Sequence, residues 1–429
     1  MSVRAAVIGG GLSGALQAIH LLRRGAARVT LIERARTPGR GVAYSTAHPE
    51  HLLNVPARRM SAYPDAPDHF AHWYRERGGT AESFAPRMLF GGYVVEQLAA
   101  AGEGLEIVRG EAVDVEGSDV LLADGRRIAA DVVVLAPGNL PPATPRGIDP
   151  EALGPLWVGD PWAPGIDEGL GASDTVLLIG TGLTAVDVAL TLQAGGFRGG
   201  ILALSRRGLV PRTHGPREPV CAPPEALPSD CIALLRDVRR RSGEVGWRTA
   251  VHALRSVTQG IWAGADETQR RRFLRHLRPW WDVHRHKLAP DVGAAIDNMQ
   301  AEGQLRFAAG RILSVAPDGT VAWRPRGGSA PETLKAARIV NCTGPECDIV
   351  RAGEPMLGAL LSRGRIRPDP LRIGIDVDAQ CRTLSDGGPS DSLYAIGPVT
   401  RGTFWESVAV PDIRTQAAAV AERILKAAS

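Results

Sequence analysis

The stretch VRAAVIGGGLSGALQAIHLLRRGAARVTLIE, residues 3–33, decides the fold. Residues 5–8 form a short apolar run with the character of a buried parallel strand. The run breaks into Gly9-Gly10-Gly11-Leu12-Ser13-Gly14, which fits G-x-G-x-x-G. Leu12, Ala15, Leu16, Ile19 and Leu22 then recur at helical spacing until Gly25, and a second strand at residues 28–32 ends on Glu33. Each part has a physical job. Gly9 permits a tight turn, Gly11 puts no side chain between backbone and a pyrophosphate, and Gly14 lets the helix lie close on the strand. The helix start, with Leu12 and Ser13, offers unpaired N–H groups and the positive end of the helix dipole to phosphates. Glu33 lies about 20 residues past the last glycine, where an acid can accept hydrogen bonds from a ribose. A lone glycine motif is weak, and a structural glycine turn is the bland alternative. The weight lies in the order strand, turn, helix, strand, acid.

A second copy of this pattern lies downstream. Residues 174–179 are another short apolar strand, followed by Gly180-Thr181-Gly182-Leu183-Thr184-Ala185, which fits G-x-G-x-x-A. A helix over residues 184–194 carries Val186, Leu190 and Gln193, and Gly195-Gly196 stops it. A strand at residues 201–204 ends in Ser205-Arg206-Arg207, where an acid would favour NAD. Two arginines there suit the extra phosphate of NADP. Two such units in one chain predict two nucleotides, FAD on the first and NAD(P)H on the second, with NADPH favoured.

The 429 residues allow two or three domains, and a 44% hydrophobic content with many glycines suits an α/β protein. No apolar run reaches the ~18 residues of a membrane span. The chain opens directly on its first strand, so no leader is expected, and five scattered cysteines point to a reduced, cytoplasmic setting. The net charge is only +4, yet arginines crowd residues 236–285. They could meet an acidic small-molecule substrate or phosphates, or simply form a solvated helical face. No nucleic-acid-reading module accompanies them, so neither nucleic acid nor membrane is an expected partner. Composition gives no oligomeric state.

Between and beyond the two motifs, the turn Gly39-Arg40-Gly41 falls where a chain would pass a pyrophosphate, and Arg40, with Arg34 before it, could pair with phosphate. Residues 52–61 mix polar and apolar types without a period of 2 or 3.6, as cleft-lining segments and ordinary loops both do. A helix is expected over residues 89–101, a strand at 105–108, and a small meander through 113–115 and 120–122. The apolar strand at residues 131–136 runs into Gly138 and should close the first unit. Residues 214–298 read as an inserted helical subdomain, with helical sequence at 230–241 and 266–278. His284 and His286 stand two apart and cannot share a helix face as a metal pair would. Strands are expected at 305–307, 311–315 and 320–323. A further strand entering Gly344 parallels the one entering Gly138. Cys342 and Cys347 are not a C-x-x-C pair, which speaks against disulfide redox chemistry. A last strand at 392–396 enters the Gly397 turn, and a helix follows over 412–426.

These residues resemble the FAD-NAD(P)-binding family of two-dinucleotide-domain flavoproteins. The resemblance rests on residues 9–14, 39–44, 52–61, 180–187, 205–211, 281–286, 341–345 and 397–414, nearly the whole chain. More distantly, the layout is similar to class B flavin monooxygenases and amine N-hydroxylases, which combine an FAD unit with an inserted NADPH unit. The expected architecture is therefore α/β, with two Rossmann-like dinucleotide-binding domains and an inserted helical subdomain. Residues 1–150 and 345–429 would take FAD, and residues 151–344, including the insertion, NAD(P)H. FAD would be held by Gly9, Gly11, Leu12, Ser13, Gly14, Glu33, Arg34, Arg40, Gly41, Gly138 and Gly397, and the second nucleotide by Gly180, Gly182, Thr184, Arg206 and Arg207. The Gly397 turn would present backbone N–H groups to the flavin pyrimidine edge. Asn54, Arg58, Met60, Ser61 and Trp405 are candidates near the ring. The resemblance implies a monooxygenase that oxidises a small organic substrate through a hydroperoxyflavin. A reductase serving an organic acceptor and a non-catalytic FAD-binding protein are the alternatives.

Overall fold

A computed structural model describes residues 3–215, 221–222 and 230–428. The start of the inserted segment at residues 216–220 and 223–229 lies outside the described residues. The chain opens with β1 (Arg4–Ile8), the helix Leu12–Arg23 and β2 (Arg28–Glu33). Helices His69–Arg75 and Arg87–Ala99 lead to β3 (Leu105–Arg109). A three-stranded antiparallel meander follows, of β4 (Ala112–Glu116), β5 (Asp119–Leu122) and β6 (Arg127–Ile128), and then β7 (Val132–Leu135). After β8 (Trp157–Val158) the pattern repeats, with β9 (Thr175–Ile179), the helix Leu183–Ala194 and β10 (Gly200–Ser205). A run of helices from Cys231 to Ala301 precedes β11 (Leu305–Val315), β12 (Thr320–Pro325), β13 (Glu332–Lys335) and β14 (Arg338–Asn341). The chain closes with β15 (Arg382–Ser385), β16 (Gly388–Ala395) and the helix Val410–Ala428.

Two mostly parallel sheets result. The first has the order β15-β16-β7-β1-β2-β3, and the second β13-β12-β11-β10-β9-β14-β8. In both, the first strand of the motif has its next strand on one side and a late strand on the other. β1 lies between β2 and β7, and β9 between β10 and β14. That is a topological switch point, where the loops leaving neighbouring strand ends part and leave a crevice. Apolar cores cover both faces of each sheet, as parallel strands require. In the first, Leu16 and Ile19 of the opening helix pack with Val7 and Leu31, and with Val420 and Ile424 of the last helix.

Some elements differ from the sequence reading for physical reasons. The expected strands at 305–307 and 311–315 are one strand, β11, which crosses from parallel pairing with β10 to antiparallel pairing with β12. Gly310 is at the crossing because a Cβ there would press on the Trp323 ring at 2.6 Å. The helix Pro290–Ala301, read from sequence as part of the insertion, buries Val292, Ile296 and Met299 in the core of the second sheet. It is the crossover between β10 and β11. The helical sequence at 266–278 is continuous as Glu267–Arg272, a π-turn at Phe273–Leu277, and Arg278–Arg285. No helix among the described residues is long and apolar enough to cross a membrane.

Candidate functional site

The two glycine loops are built alike. The amide of Gly9 donates to Ile32 O at 2.9 Å, and that of Gly180 to Leu204 O at 2.8 Å. Both glycines have positive φ, 98° and 133°. A Cβ on Gly9 would strike Ala136 O at the end of β7, and one on Gly180 would strike Cys342 O at the end of β14. Each loop therefore touches the strand across its switch point, and only glycine fits that contact. Gly11 and Gly182 stand at the N-cap positions in extended conformation, and no side chain caps either helix. The first N–H groups of both helices thus remain available to an anion.

The first cradle gathers most of its expected residues. Gly39 donates its amide to Gly10 O at 2.6 Å, which lays the Gly39-Arg40-Gly41 turn over the loop. An added Cβ on Gly41 would sit 3.1 Å from Gly11 Cα. Arg40 Nε is buried and has no protein partner, so it has bonding capacity to spare. The Glu33 carboxylate accepts from Gly10 N at 2.6 Å and from Ala35 N at 2.8 Å. Gly397 has φ 76°, and a Cβ there would strike Ser13, so the C-terminal turn abuts the opening helix. The Gly397 amide, however, donates to Gln416 Oε1 at 2.8 Å. Gly138 follows β7 with φ 73°. Arg34 is exposed and faces Glu354 at 3.4 Å and Glu111 at 3.8 Å, and Leu12 is buried in the core. Open glycines, an uncapped helix start and the unpartnered Arg40 Nε fit a bound pyrophosphate.

In the second cradle, the Thr181 hydroxyl ties the glycine loop to the turn after β10. It lies 2.9 Å from Ser205 Oγ and donates to Leu209 O at 2.6 Å. This tie sets Arg206 and Arg207 beside the loop. Arg206 is exposed. Arg207 donates to Arg275 O at 3.3 Å and so also touches the helical insertion. A Cβ on Gly182 would meet open space, and Thr184 is half-buried on the first helical turn.

The five ring candidates have different surroundings. Asn54 is half-buried and its carbonyl lies 3.0 Å from His214 Nε2. Arg58 is exposed and paired with Glu82 at 2.7 Å. Met60 is buried in the core of the first sheet. Ser61 donates its hydroxyl to Ala66 O at 2.8 Å. Trp405 is buried and stacks on Trp262 of the insertion at 4.6 Å between ring centroids.

Residues not assigned from sequence join the two units. Arg87 makes a two-pronged ion pair with Asp187, at 2.7 and 3.1 Å, with side-chain exposures of 15% and 6%. His51 Nε2 lies 3.1 Å from Asp187 O on the same helix. The signal was a lone acid, Asp187, inside an otherwise apolar helix, which demands a buried partner. On the other side, Arg285 pairs with Glu406 at 2.8 Å with both side chains buried. Next to them, burial and then the Arg278 charge lower the Arg401 pKa. Burial, followed by Arg285, holds His286 at about 3. Burial also raises the Cys342 thiol, so it is an inert core group.

The sequence model of the FAD-NAD(P)-binding family matches residues 6–140. No curated protein matches the chain. Among solved structures, L-lysine 6-monooxygenase from Pseudomonas syringae is similar with a TM-score of 0.70 at 14% identity, over 100% of both chains. Ornithine N-hydroxylase from Kutzneria sp. 744, solved with reduced FAD, NADP+ and L-ornithine, has a TM-score of 0.67 at 14% identity, again over 100% of both chains. Thioredoxin reductase from Lactococcus lactis reaches 0.55 at 13% identity over 99% of each. Likeness at these identities is one of fold. The chain has the α/β fold of two-dinucleotide-domain flavoproteins, and its residues 6–140 match the model of the FAD-NAD(P)-binding family.

Proposed function

We propose that this protein is an FAD-dependent NADPH oxidoreductase, a monooxygenase acting on a small organic substrate. The observation that carries the reading is the pair of equivalent glycine cradles, each on a switch point, in two units joined by a buried ion pair. In this reading residues 1–150 and 345–429 take FAD and residues 151–344 take NADPH. The chain's part is to bind and orient. Gly11 and Gly14 let the first helix start meet the FAD pyrophosphate, Arg40 adds a positive charge, and Glu33 meets the ribose. Gly180, Gly182 and Thr184 do the same for the second nucleotide, with Arg206 and Arg207 facing its 2′-phosphate. The Arg87–Asp187 pair joins the two units that would hold the nucleotides. FAD, when bound, would supply the redox chemistry, taking hydride from the nicotinamide nucleotide for transfer to oxygen.

The test is direct. Purified protein should be yellow, should bleach with NADPH under anaerobic conditions, and should take up oxygen when air is admitted. Protein that stays colourless in excess FAD would remove the proposal. Bleaching without oxygen uptake would make it a reductase serving an organic acceptor.

A further inference from the structure

The helical insertion lines a half-open cavity apart from the residues of the two glycine loops. Its volume is about 410 Å³, within the range of roughly 300–1,000 Å³ for pockets that bury drug-sized ligands. The helix Cys231–Val245 presents Leu234, Leu235 and Val238 to it, and Ile261, Trp281 and Trp405 face them. Trp405 comes from the segment after the Gly397 turn, so the cavity is lined jointly by the insertion and the first unit. Trp262 Nε1 donates to Gly402 O at 2.8 Å, and Gln259 Oε1 accepts from Trp405 N at 3.1 Å. Phe273 meets the Trp405 ring edge-on at 5.1 Å, and the Arg401 guanidinium lies 4.1 Å from its centroid. These contacts hold Trp262 and Trp405 in place.

Charge decides what can enter. Among the described residues none of those lining it is an acid, and the arginines there are Arg239 and Arg270. Arg270 donates from Nε to Trp262 O and from Nη2 to Ala263 O. Arg239 is exposed and has no ion-pair partner among the described residues. An ammonium group would lose water here without gaining a carboxylate, and Arg248, Arg270 and Arg401 already lie over the rings of Trp247, Trp262 and Trp405. Flat aromatic walls instead favour stacked rings. We propose that this cavity binds an apolar, ring-bearing small molecule without positive charge, and that this molecule is the substrate. The binding site stands on the cavity alone, whereas its role as substrate site rests on the oxidoreductase reading.

The experiment uses full-length, FAD-loaded protein with 1-anilinonaphthalene-8-sulfonate as fluorescent probe, 2-naphthol as neutral competitor and L-ornithine as cationic competitor. Saturable probe binding displaced by 2-naphthol and not by L-ornithine is expected. Val238→Trp should fill the space and weaken the probe by about tenfold, while the melting curve and FAD absorbance hold. Leu235→Gln is the second variant should the first misfold, with the same loss expected. Absent saturable binding, displacement by L-ornithine, or full binding in a folded variant would overturn the site. So would a concentration-dependent dimer that Val238→Trp dissociates, because a second copy would then cover this face. Saturating 2-naphthol should change NADPH consumption; an unchanged rate would overturn the substrate role. A colourless protein that still binds the probe would support the site and sink the oxidoreductase reading. A yellow, NADPH-oxidising protein that binds neither compound would do the reverse.

Discussion

Gly11 and Gly14 respond to an added side chain in opposite ways. A Cβ on Gly11 would meet only Gly41 Cα, at an ordinary 3.5 Å. Gly11→Val should therefore leave the fold intact and fill the space a pyrophosphate needs, which flavin absorbance per protein will show as loss of FAD. A Cβ on Gly14 would drive into Gly9 O. Gly14→Ala should instead lower stability by about 2 kcal/mol or more in urea unfolding. His20 offers a pH test. It is fully buried, its Nε2 lies 3.0 Å from Ala62 O, and burial, only partly offset by that bond, lowers its pKa to about 4. The unfolded side chain titrates near 6.5, so between those values the unfolded chain binds more protons. Stability is then complete above about pH 6.5 and falls toward pH 4, by about 3 kcal/mol from this residue. His20→Gln should flatten that part of the urea-midpoint profile. His51 and His286, lowered in the same direction, will keep a remaining slope.

Elements with strong local chemistry were legible. β1, its glycine loop and its helix are set by neighbouring residues, and so are β9 and its loop, and both appear where the sequence places them. β11 was not legible as one strand, because Gly310 reads as a break until Trp323 is seen opposite. β13 and β15 are four-residue, polar edge strands with little apolar pattern to read. Residues 52–61 gave no period, so side-chain directions could not be read. Met60 and Ser61 turn inward, and Arg58 turns to the surface. The Ser205-Arg206-Arg207 turn was legible as a charge substitution at a fixed place, and its tie through Thr181 places it beside the loop. Replacing both arginines by alanine should weaken NADPH by about tenfold or more relative to NADH. Equal losses in the two KM values would remove the 2′-phosphate assignment.

The joint between the units belongs to the whole molecule. Asp187→Ala leaves the Arg87 charge buried without its partner, and such truncations cost about 3–5 kcal/mol. Urea unfolding should show that loss, and the double change Arg87→Met with Asp187→Leu should recover most of it. The sequence could not pair these residues, since they lie far apart along the chain and meet only after both sheets form. Other ties span the same boundary. They include His51 on the Asp187 carbonyl, His214 by the Asn54 carbonyl, and Arg285 on Glu406. To swing one half against the other would strand several desolvated charges at once. These ties predict turnover inside a rigid frame, with cofactors and substrate moving and the scaffold standing still. Its X-ray scattering profile should stay the same when the nicotinamide nucleotide is added, and solvent viscosity should slow ligand exchange alone.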